Sequence, residues 1–142
     1  MENVEEIVKH VLNVWRLYKT QRQLLSTAMR QEIPFPLRQL LSRDYMICSV
    51  LKKEIANLYD ALKCCMTGII RPDGTAAITI DWEGNIILIL GEIVSVHQKI
   101  IAEYEILLTL LEGSDMSIAM LRHHCMQMHK MTDDLLAESA EP

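Results

Sequence analysis

Four stretches of this chain repeat apolar side chains at steps of three and four residues, and a chain built that way must pack helix on helix. The first runs from about residue 3 to 30, with Val4, Ile7, Val8, Val11, Val14, Trp15, Tyr18 and Leu25 on one face. The second runs from about 37 to 66 on Leu37, Leu40, Leu41, Ile47, Cys48, Leu51, Ile55, Leu58, Tyr59 and Leu62. The third, clear from Gly91 to Glu112, carries Ile93, Val96, Ile100, Tyr104, Leu107 and Leu111. The fourth, from about 115 to 138, carries Ile118, Leu121, Cys125, Met128, Leu135 and Leu136, with Ser114 as a candidate amino-terminal cap. Pro34 and Pro36 break the first helix from the second. A connection that short sets the two side by side and antiparallel.

Between the second and third stripes the pattern changes. Arg71-Pro72-Asp73-Gly74 and Glu83-Gly84-Asn85 are turn signals, and the residues between them alternate with β-branched side chains. The spacing predicts a small β-hairpin or meander over about 68–90, with strands Ile69–Arg71, Thr75–Ile80 and Asn85–Leu90. The competing reading starts the third helix near Asn85, because a short apolar run such as Ile86 to Leu90 fits either state. The expected fold is therefore mainly α: an antiparallel up-and-down four-helix bundle with a β insert, forming a single domain over 1–142. The central connection leaves the order of helices around the bundle open.

Composition narrows the function classes. Half the residues are hydrophobic and 23% are charged, as in soluble globular proteins. The longest apolar run is too short to span a bilayer, and Met1 to Trp15 lacks the layout of a secretory signal. These features point to a cytoplasmic protein without a membrane partner. A net charge of −5 argues against a nucleic-acid surface. The densest basic spots, Lys52-Lys53 and Arg16, Lys19 and Arg22, are spread by helical phase and read as a solvated face. Cys48, Cys64, Cys65 and Cys125 lack paired CxxC spacing and read as reduced thiols.

The residues that interrupt the apolar stripes are the candidate site. At about 100° per residue, Asp44 and His97 fall near the centres of their faces. His10 and Glu54 fall at edges, His124 and His129 flank the fourth stripe, and His123 points outward. An unpaired buried carboxylate is costly, so Asp44 needs an arginine, tyrosine or histidine partner, or else marks a site. In an antiparallel bundle His97, His129 and Glu54 reach similar heights and could hold a divalent transition metal. Cys125 could add a soft ligand, with Asp44 and His10 as outer candidates.

The architecture resembles the ferritin-like superfamily, which would imply a Glu on two helices and a Glu-x-x-His pair on the other two. No Glu-x-x-His occurs, since Glu54, Glu92 and Glu103 are followed three later by Asn57, Ser95 and Ile106. His129 with Asp134 resembles the terminal His-x-x-x-x-Asp of hemerythrin-like bundles, whose other histidine pairs are missing. No nucleophile elbow, phosphate loop or dinucleotide fingerprint is present. The expected role is thus a non-enzymatic interaction or assembly protein, a homo-oligomer without a cofactor. Met120 and Met126, off the stripe centre, are candidate interface residues. The alternative is a ferritin-like or hemerythrin-like metal-binding bundle without the standard ligand motifs.

Overall fold

The computed structural model describes residues 2–63, 85–112 and 118–140. They form four helices: α1 (Glu2–Met29), α2 (Phe35–Lys63), α3 (Ile86–Leu110) and α4 (Ala119–Ala140). Their inward faces merge into one core cluster, which includes Val8, Val11, Leu25, Leu41, Ile55, Ile93, Ile100, Leu107, Leu121 and Met128. Each such aliphatic side chain contributes roughly 1.5–3 kcal/mol when removed from water.

The ends of the helices have identifiable causes. Arg38 closes the α1–α2 corner, donating to the carbonyls of Met29 and, at 2.9 Å, of Gln31, which the end of α1 leaves without helical partners. Pro36 does not break the chain as Pro34 does. It lies in the first turn of α2, where its missing amide costs nothing. At the start of α3, Asn85 Oδ1 accepts the amide of Leu88 at 3.2 Å, a side-chain amino-terminal cap.

That cap corrects the third strand expected at Asn85–Leu90, for Ile86 to Leu90 is the first turn and more of a helix. Ile89 extends the inward series Ile93, His97, Ile100 and Tyr104 by one turn, and that continuity decides an ambiguous apolar run. The two earlier strands, within 69–80, and the Ser114 cap lie outside the described residues. No strand occurs among the described residues.

Connectivity also departs from the up-and-down expectation. Lys52 of α2 lies over the Trp15 ring of α1, and Arg22 bonds Tyr45, so these helices are antiparallel. Gln21 meets His97 whereas His10 meets Glu103, so α3 is antiparallel to α1 as well. Helix α4 opposes α2, with His124 at Glu54 and Asp134 at Arg43. Helices α2 and α3 therefore run in the same direction on one diagonal, with α1 and α4 on the other. The order is up-down-down-up. Lys63 and Asn85 stand at opposite ends of the bundle.

Candidate functional site

Two layers of polar side chains cross the interior. The lower one takes a residue from every helix. Tyr18 (α1) and Tyr104 (α3) join their hydroxyls at 2.7 Å, and Tyr104 Oη stands 2.8 Å from His124 Nδ1 (α4). His124 Nε2 then bonds the Glu54 carboxylate (α2). Both tyrosines and His124 are closed to solvent, while the Glu54 side chain is 41% exposed.

The proton directions follow from the end of this chain. An ionised Glu54 only accepts, so His124 Nε2 carries the ring proton and Nδ1 accepts from Tyr104, which in turn accepts from Tyr18. Every buried donor has an acceptor, and the charge sits at the rim in water. Burial pushes both phenols well above their ordinary range. It also pulls the His124 pKa down, with Glu54 acting in the opposite direction. A neutral imidazole between a phenol and a carboxylate is the state the site favours.

The upper layer is less complete. The Gln21 amide nitrogen (α1) lies 2.8 Å from the Ile93 carbonyl and 2.6 Å from His97 Nδ1 (α3). Donating to both, it leaves the His97 ring proton on Nε2, aimed toward Asp44 Oδ2 (α2) at 3.8 Å. That separation is too long for a hydrogen bond. Asp44 and His97 are fully buried, and neither Asp44 oxygen has a hydrogen-bond partner among the described residues. Burial raises the Asp44 pKa, with His97 and then Arg43 partly offsetting it. One turn along α2, Cys48 is fully buried as a free thiol, and burial, then the Asp44 carboxyl, push its pKa well above the ordinary thiol range. It is an inert packing group at neutral pH.

The structure separates the residues that helical phase had grouped. His97 faces Asp44, Glu54 faces His124, and His129 is exposed on the outer side of α4. Cys125 is half-buried rather than central, and His124 takes the inward position on α4. His10 lies apart, between Glu103 at 2.6 Å and Glu6 at 3.3 Å. Among the described residues no three His, Cys, Asp or Glu side chains converge as a metal would need. Asp44 and His97 alone fall short of the three or four protein ligands that hold zinc. Periodicity placed Tyr18 and Tyr104 correctly on inward faces but gave no sign that their hydroxyls meet, because that depends on the relative height of two helices. Gln21 broke a stripe as plainly as Asp44 did and was the recoverable signal.

No helix among the described residues is long and apolar enough to cross a membrane. Comparison with known proteins finds no matching family model, curated protein or solved structure. The class that fold and site define is thus, among the described residues, a four-helix bundle whose apolar interior is crossed by polar layers.

Proposed function

We propose that this chain is a non-enzymatic assembly protein that pairs with a second copy of itself through the face formed by α2 and α4. The observation that carries the reading is an apolar patch. Met46 (66% exposed), Val50 (57%) and Met126 (70%) stand in the open. Met46 and Val50 rim a groove of about 350 Å³, which Ile47, Leu51 and Glu54 of α2 and His123 and Gln127 of α4 also line. Exposed apolar side chains beside a groove mark a recognition surface more often than ordinary surface.

A second copy fits because an isologous contact sets a patch against itself, and a charged centre would repel its own image. The exposed side chains Met46, Val50 and Met126 are uncharged, and methionine adapts its shape to an apolar surface. The lower layer supports a non-catalytic role, since its hydroxyls and imidazole are bonded to one another and closed to solvent. Light scattering over a concentration series tests the proposal. The expected result is a dimer that becomes a monomer of unchanged helicity in the double variant Met46→Glu, Met126→Glu. A wild-type protein that stays monomeric throughout would refute it.

The metal-binding alternative keeps one observation, the unpartnered Asp44 carboxylate beside His97. Elemental analysis of untagged protein decides it, and the absence of stoichiometric metal with melting unchanged by a chelator rejects it.

A further inference from the structure

The groove between α1 and α2 has the opposite chemistry. It encloses about 490 Å³, and Lys19, Arg22 and Arg30 of α1 line it together with Lys52 of α2. No aspartate or glutamate is among its described lining residues, although the chain as a whole carries a net charge of −5. Positions 19, 22 and 30, with Ser26 between them, lie on one side of α1 at steps of three and four. What looked scattered along the sequence is gathered by the packing of α2, which brings Lys52 to the level of Lys19. Both ammonium groups lie over the Trp15 ring, at 5.8 Å for Lys19 and 5.0 Å for Lys52.

The cations are held rather than waving in solvent. Arg22 donates to Tyr45 Oη at 3.1 Å and lies over its ring at 5.1 Å. Its Nε is buried without a hydrogen-bond partner among the described residues. Lys19, Arg22 and Lys52 are all half-buried. Burial depresses the Lys52 pKa, and the like charges of Arg22 and Lys19 depress it further. Half-buried cations that repel one another are a cost to the fold that a bound anion would relieve.

We propose that this groove binds a small, multiply charged phosphate ligand, with Lys19, Arg22 and Lys52 around the diphosphate-like end. An Arg fork and two ammonium groups match the several oxygens of linked phosphates. The volume suits a small molecule. Arg30 stands eight residues beyond Arg22, about 12 Å along the helix axis, and reaches a more distant part of the ligand. A long nucleic acid is disfavoured, because beyond one groove it would meet a protein of net negative charge.

Calorimetric titration of the full chain with inorganic tripolyphosphate at low ionic strength is the test, with citrate and a single-stranded oligonucleotide as competing probes. The expected result is one site per chain, weakened about tenfold by Lys19→Gln or Lys52→Gln, which corresponds to about 1.4 kcal/mol each. Lys52→Arg should keep the binding. Arg43→Gln, on the opposite side of α2, should leave it unchanged. Absence of binding by the folded wild type, or an equal loss in Arg43→Gln, overturns the site. Citrate binding as tightly as tripolyphosphate overturns the phosphate assignment, and tighter binding of the oligonucleotide overturns the small-ligand assignment.

Discussion

Each polar layer sets a histidine near a carboxylate, yet one layer is complete and the other is not. In the lower layer three buried groups hand a hydrogen bond from helix to helix until it reaches Glu54, whose charge remains in water. In the upper layer the series also begins on α1, but it ends at Asp44, where a carboxylate lies fully buried. The difference is where the charge ends up. A buried network that terminates at solvent costs little desolvation, while one that terminates on an interior carboxylate must keep it protonated or leave it strained. The lower layer fixes the register of all four helices. The upper layer is a stored cost in the middle of an otherwise apolar core.

The largest effect should come from breaking the complete layer at its centre. Tyr104→Phe removes the donor to His124 Nδ1 and the acceptor for Tyr18 together, leaving two buried polar groups unpaired. We expect a loss of roughly 1–3 kcal/mol in urea unfolding. Tyr18→Phe should cost less, because that hydroxyl only donates and its removal leaves Tyr104 with its own acceptor intact. The double variant should lose less than the sum, as residues of one network are coupled. Strict additivity would show that the hydroxyl chain does not act as a unit.

How much of this could be read in the chain follows the same division. Periodicity located all four helices and put Asp44 and His97 on inward faces, because the 3.6-residue repeat belongs to each helix alone. It could not supply the relative height or order of the helices, and those depend on a connection that joins opposite ends of the bundle. Hence His97 was grouped with His129 and Glu54, when packing gives His97 to Asp44 and Glu54 to His124. The basic residues failed in the same way. Lys19 and Arg22 were read as part of a spread, solvated face, and only α2 brings Lys52 beside them. The start of α3 stayed open between strand and helix for a local reason, since a run of five apolar residues carries no period and Asn85 serves a cap as well as a turn.

The incomplete layer should respond in the opposite sense to substitution. Its raised pKa means that folded Asp44 holds its proton more tightly than the unfolded chain does. Stability from this residue is therefore full below the ordinary carboxylate pKa of about 3.9 and is lost as pH rises through the higher folded value. Asp44→Asn keeps the shape and removes the titration. At neutral pH it should stabilise the protein, by on the order of 1 kcal/mol, and the gain should shrink toward pH 4. Loss of stability at neutral pH would instead mean that the Asp44 carboxylate holds the layer together.

The smallest effect separates the layers by pH alone. Burial depresses the His124 pKa, so the unfolded chain takes up its proton first as the solution is acidified. Stability due to His124 is present above its unfolded value of about 6.5 and declines as pH falls toward the lower folded one. Asp44 gives the opposite slope from about pH 3.9 upward. Wild-type stability measured across this range should carry both slopes, and each single variant should lose one. His124→Gln should flatten the acid side below pH 6.5 and leave the Asp44 slope in place, and Asp44→Asn should do the reverse. If His124→Gln leaves the acid side unchanged, the Glu54 contact has cancelled the desolvation of the imidazole, and the lower layer tolerates a charged histidine.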